Sequence, residues 1–221
     1  MRRFDFADPA LALRYFAMAS TLRDLLIQRA ARLQGRPALT APGWGTLSYA
    51  QLRNRAEGVA LGLLAASPAP VVFSATGTPW DWAAELAAAA SGLAWDAEGW
   101  AVPWEILGGS RFNLDEGRGP YHTREQSVSV STPFSAGLSH GELMLRLQRL
   151  NRTLGWDHDT RVDLPLAHLR ENPLRAALWS LLYAGGHAVL VEVPASRGLL
   201  ARFQRSKTEW DPAPFTAFWT D

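Results

Sequence analysis

Short apolar runs alternate with helix-length amphipathic stretches along this chain, and that order restricts the fold more than any single residue does. Residues 71–76 form an apolar run suited to a buried strand. Thr78 and Pro79 then start a helix that continues through the alanine-rich stretch 83–90 and ends near Gly92. The pattern recurs further on. Residues 161–164 read as a strand, Asn172 and Pro173 open a helix through Leu182, and Gly185 with Gly186 close it. Residues 187–193 give the next strand, followed by a helix over 197–205. Strand followed by helix, repeated, predicts an α/β fold with a mostly parallel sheet flanked by helices rather than a helix bundle.

The remaining segments fit that layering. Thr21 and Asp24 form a T-x-x-D cap for a helix whose inner face carries Leu22, Leu25, Leu26, Ala30 and Leu33, and Gly35 and Pro37 end it. Residues 37–49 predict a hairpin around 42–45. Ser48 and Gln51 cap the helix after it, with Leu52, Ala56, Val59 and Leu63 as inner stripe. Residues 127–131 alternate Ser and Val as a half-buried strand does. Leu143, Leu147, Leu150 and Leu154 mark another helix, with Arg146, Arg149 and Arg152 on its other face. Residues 95–126, where Gly, Pro and Trp are scattered, predict short strands and loops, a small β-rich insertion. Residues 1–17 are a weakly patterned leader, with Met18 as an alternative start, and 18–221 form a single domain.

Composition narrows the function classes. The 22 basic and 21 acidic residues are interspersed and form no basic stripe, so nucleic acid is not an expected partner. Cysteine is absent, which removes disulfides, thiol catalysis and cysteine-held metals from these 221 residues. Only Lys207 among the basic residues is lysine, leaving few ammonium groups for phosphate or Schiff-base chemistry. No run is long and apolar enough for a membrane span or a signal peptide, so the expectation is a cytoplasmic protein without membrane contact.

Four segments in register resemble the adenylate-forming superfamily of acyl-CoA synthetases, aryl-CoA ligases and peptide-synthetase adenylation domains. They are "TLRDLLIQRAARLQGRPALTAPGWGTLSYAQLRNRAEGVALGLLA" (21–65), "TGTPWDWAAELAAAASGLAW" (76–95), "GLSHGEL" (137–143) and "LGWDHDTRVDLPLAHLRENPLRAALWSLLYAGGHAVLV" (154–191). The last is similar to that family's "D-x-R-V…P-L-x-H…L-L-x-G-x-x-V-V-L" stretch. The resemblance implies a truncated N-terminal part of the large domain of such an enzyme.

Departures from the pattern bear on function. Where the family carries a Gly/Thr/Ser-rich phosphate loop ending in Pro-Lys-Gly, this chain has "VSVSTPFSAGLSH" (128–140). Such a loop works through consecutive backbone N–H groups and a lysine around the phosphates. Here one glycine, Gly137, remains, lysine is missing, and Pro133 removes one donor. Ser131, Thr132 and Ser135 are left as a vestigial phosphate-loop region. The family's adenine, metal and ribose motifs and its lid lysine have no counterpart up to Asp221, so no catalytic residue, metal site or cofactor is assigned.

Candidate binding residues come with plain structural alternatives. His168 falls where the family lines its acyl or aryl pocket, and a histidine after a strand also serves local hydrogen bonding. Trp80, Trp82, Trp95, Trp100 and Trp104 are dense enough to line a ligand cleft, make a protein contact, or fill a thin satellite core. His168 with Trp95, Trp100 and Trp104 is the candidate ligand pocket. His140 reads as a capping or packing residue, and Asp157–His158–Asp159 as a solvated turn. Arg146, Arg149 and Arg152 are either an anion site or a solvated face.

The expectation is a non-catalytic homologue of the ligases acting by binding or protein contact. The alternatives are a subunit of a split ligase whose partner brings the nucleotide site, and a small-molecule carrier. Helix 174–182, apolar nearly all round, and segment 212–219, with Phe215, Phe218 and Trp219, predict a homodimer or partner contact at those two places.

Overall fold

Thr21 is in extended conformation, and its hydroxyl accepts the Asp24 N–H at 3.1 Å. That bond opens α1 (Leu22–Leu33), as the T-x-x-D spacing predicts. The computed structural model describes residues 19, 21–66, 71–72, 77–91, 100–101, 138–169, 171–192, 210–216 and 218. Predicted elements at 127–131 and 197–205, and most of the insertion 95–126, lie outside them.

β1 (Pro37–Ala41) and β2 (Gly45–Ser48) form the predicted antiparallel hairpin. Ser48 and Gln51 then exchange bonds, the Ser48 N–H to Gln51 Oε1 at 2.8 Å and the Gln51 N–H to Ser48 Oγ at 3.2 Å. These start α2 (Tyr49–Ala66), which buries Leu52, Ala56 and Val59. β3 (Val71–Val72), α3 (Trp80–Ser91) and β4 (Trp100–Ala101) make a βαβ unit, with β3 and β4 parallel. Trp100 of the insertion therefore belongs to a strand paired with Val71.

α4 (His140–Leu154) is opened by a reciprocal cap. Ser139 Oγ accepts the Glu142 N–H at 3.2 Å, and the Glu142 carboxylate accepts the Ser139 N–H at 2.7 Å. Ser139→Ala is expected to cost about 1 kcal/mol in urea denaturation, because the Glu142 N–H loses its acceptor and the Glu142 carboxylate loses the hydroxyl. β5 (Arg161–Pro165) follows, then one tight turn over Leu166–His168, α5 (Asn172–Ala184), β6 (His187–Val191) and the short α6 (Ala213–Thr216). Gly185 ends α5 at φ +87 and Gly186 brings the chain straight into β6. A Cβ on Gly186 would stand 2.8 Å from the Thr160 carbonyl oxygen, so only glycine fits there.

The main sheet has the order β2-β1-β6-β5, with β1, β6 and β5 parallel. Leu39, Leu47, Ala188, Leu190, Val162 and Leu164 fall in register on one side and are buried. The other side carries a polar row. Thr46 and Thr40 share a hydrogen bond at 2.8 Å, and Thr40 shares another with His187 Nε2 at 2.8 Å. Burial holds the His187 imidazole below its ordinary value, with Arg161 adding to this and Asp163 opposing it.

α5 is the centre of the helical layer. Leu174, Ala176, Ala177, Leu178, Trp179, Leu181 and Leu182 are all buried, and so are Phe215 and Phe218. The chain supplies the cover itself: β6, α1, α4 and α6 pack on α5, and Trp82 of α3 meets Trp179 edge to face at 5.0 Å. Phe215 stacks on Trp210 at 5.2 Å, and the Phe218 carbonyl accepts Arg146 Nη1 at 2.8 Å. Helix 174–182 and segment 212–219 are the two places where the sequence predicts a homodimer or partner contact. Elements distant in sequence cover the described part of both. Among the described residues no helix is long and apolar enough to cross a membrane.

Candidate functional site

β1, β5 and β6 run parallel and end at Ala41, Pro165 and Val191, so their carboxyl ends share one edge of the sheet. α1, α4 and α5 each lead directly into one of these strands and therefore begin at that edge. A contact between two of the starts shows it: the Leu22 N–H donates to His140 Nδ1 at 3.3 Å. His140 is 1% exposed, the packing role its position before a helix predicts. In open α/β sheets this edge is where ligands sit.

Three helix N-termini at one edge bring three positive dipole ends together. Each is met by an acid of its own chain. Asp24 lies in the first turn of α1, Glu142 in the first turn of α4, and Glu171 at the cap position of α5. The Glu142 carboxylate accepts both the Ser139 N–H and hydroxyl at 2.7 Å, and the backbone bond, then the hydroxyl bond, hold its carboxyl below the ordinary range.

The vestigial loop residues Ser131, Thr132, Ser135 and Gly137 lie outside the described residues. Leu138, which follows them in sequence, is buried and precedes the α4 cap at this same edge. His168 stands just beyond the carboxyl end of β5. Its side chain is 49% exposed, and Nδ1 donates to Glu171 Oε1 at 2.5 Å. The Glu171 N–H returns to the His168 carbonyl at 2.8 Å. His168 thus closes the turn that enters α5. Of its proposed pocket companions, Trp95 and Trp104 lie outside the described residues, and Trp100 is placed by its backbone in β4. Arg149 and Arg152 are exposed, while Arg146 ties down Phe218. The turn 157–159 is solvated and held by Asp157, which accepts the Asp159 N–H at 2.9 Å.

Two groupings are absent from the sequence reading. Glu85 of α3 accepts Arg175 Nε at 2.6 Å and Trp179 Nε1 at 2.8 Å, all within the core. A lone acid inside an alanine run and a lone arginine inside an apolar helix are the signals that could have paired them. The second is Arg55, whose guanidinium lies 4.3 Å from the Trp44 ring centre and 5.1 Å from that of Trp80.

No protein-family profile and no curated protein sequence matches the chain. Solved structures do. A fatty acyl-adenylate ligase from L. pneumophila, in complex with acyl adenylate and pyrophosphate, superposes with a TM-score of 0.65 at 14% identity. The match covers 80% of this chain and 40% of that one. The fold is that of the N-terminal part of the adenylate-forming ligases. The o-succinylbenzoate CoA synthetase MenE of Bacillus subtilis superposes at 0.60 with 16% identity, over 76% of this chain and 55% of its own. The Klebsiella oxytoca NpsA N-terminal subdomain does so at 0.60 with 15% identity, over 82% and 55%. The chain therefore spans 40–55% of the length of these neighbours. The fold expected from the four resembling segments is the one observed.

Proposed function

We propose that this chain is a non-catalytic relative of the acyl-adenylate-forming ligases that acts by binding, through contact with a protein partner. The reading is carried by the edge where a nucleotide triphosphate would have to sit. The loop leading to that edge holds no lysine and a single glycine. The helix it enters has its first turn closed by the Glu142 carboxylate, with Asp24 and Glu171 at the neighbouring helix starts. Adenylation needs a preorganised set of donors and cations around the α-phosphate. Carboxylates in those places oppose a polyanion by the same Coulomb term that makes them good helix caps.

Titration calorimetry with ATP and magnesium, together with pyrophosphate exchange over a panel of carboxylic acids, tests the reading. The expected outcome is no exchange and no ATP binding tighter than about 1 mM. Micromolar ATP affinity, or exchange with any acid of the panel, would overturn it.

A further inference from the structure

Among the described residues, several arginines meet an oxygen. Arg53 meets Glu57 at 2.6 Å, Arg175 meets Glu85 at 2.6 Å, and Arg36 meets Asp159 at 2.5 Å. Arg146 donates to the Phe218 carbonyl and Arg29 to the Tyr183 carbonyl. Arg55 differs. It lies on α2 two residues beyond Arg53, it is partly buried, and among the described residues its guanidinium meets two indole rings and no oxygen acceptor. Asp81, the acid next to Trp80 in sequence, instead accepts the Gly77 N–H at 2.8 Å. Burial alone lowers the Arg55 pKa, with no neighbouring carboxylate to offset it.

The two rings come from separate elements. Trp44 sits at the tip of the β1–β2 hairpin between Gly43 and Gly45, both in the left-handed region at φ 73 and 66. Trp80 is the first residue of α3. The rings pack edge to face at 4.6 Å, and the guanidinium covers both. Trp44 is half-buried against the core, which fixes its ring as a platform beside Arg55. The rings confine the guanidinium without taking its N–H donors, and a guanidinium edge takes a carboxylate through two parallel bonds. Tryptophan and arginine are also the residues that dominate binding energy where proteins meet.

We propose that Arg55, held by Trp44 and Trp80, anchors a docking surface for an acidic segment of a partner protein, one carboxylate of which takes the guanidinium edge. The surface uses none of the residues on which the loss of adenylation was argued. It rests on the partner-contact part of that reading, and its test is independent of the ATP-binding and exchange assays.

The probe is the peptide acetyl-Leu-Glu-Leu-Glu-Leu-amide, titrated into the ¹⁵N-labelled full chain while the Arg55 Nε–H and the Trp44 and Trp80 indole N–H resonances are followed. Saturable shifts of these resonances are expected. The glutamine counterpart of the peptide should bind at least about tenfold more weakly, since a charge-assisted pair is replaced by a neutral one. R55A should weaken the glutamate peptide by a similar factor, and R55K, which keeps charge but loses the fork, should fall between. R55K and the peptide comparison on the unmodified chain keep the test decisive if R55A loosens the hairpin. Equal binding of the two peptides, or an R55A affinity equal to wild type, would overturn the proposal. So would free glutamate or inorganic phosphate moving the same resonances at lower concentration than the peptide, which marks a small-anion site instead.

Discussion

Glu85→Ala is expected to destabilise the protein by about 3–5 kcal/mol in urea denaturation, close to what a single domain can lose and stay folded. The carboxylate is 8% exposed and its partner guanidinium 14% exposed, so neither is hydrated in compensation. Removing the acid leaves Asp81 as the remaining acid acting on the buried Arg175 charge and takes the acceptor from Trp179 Nε1. Glu85→Gln keeps the shape and one acceptor and should cost about 1–3 kcal/mol. The double replacement of Glu85 by Leu and Arg175 by Met should cost less than Glu85→Ala alone, because the Arg175 charge leaves with its partner, and Asp81, which also acts on Arg175, keeps the Gly77 N–H. A loss under about 1 kcal/mol for Glu85→Ala would show that water reaches the pair.

The second large effect is expected at Trp179, which is sealed in the core beside Trp82. Trp179→Ala should cost about 3–5 kcal/mol, since the cavity opens between α3 and α5 and the contact with Trp82 disappears. Trp179→Phe keeps most of the volume and loses the indole N–H, so about 1–3 kcal/mol is expected. Combined with Glu85→Ala, the losses should fall short of their sum, because the two side chains share one hydrogen bond. Full additivity in a double-mutant cycle would break the link between them.

Local chemistry explains which parts of this fold were legible in the sequence. Thr21 with Asp24, Ser48 with Gln51, and Gly185 after α5 each complete their bonds within a few residues, so their spacing predicts the element boundary. The hairpin tip and the buried stripe of α2 are likewise set by neighbours in sequence. The all-round apolarity of α5 was legible too, but its cover was not. Trp82, α1, α4 and Phe215 arrive from distant parts of the chain, and an apolar stripe does not say whether its partner lies in the same molecule. The same holds for the sites. The missing loop lysine is a fact of sequence, whereas the pair of Glu85 with Arg175 spans 90 residues and the grip on Arg55 joins three elements.

The position of β1 in the sheet has a consequence for the order in which the protein can form. β1 takes β2 on one side from its own hairpin, and β6 on the other. Thr40 and His187, which meet across that second seam, are 147 residues apart in sequence. During synthesis the hairpin and the first two helices emerge early. The open flank of β1 then waits for nearly all the rest before its neighbour exists. Loop closure on that scale slows folding, and an unpaired strand flank invites pairing with other nascent chains in the interval. Folding should therefore stay incomplete until β6 is delivered. A chain cut before His187 should expose Leu39 and Leu47 and aggregate, although every element up to α5 is already encoded in it.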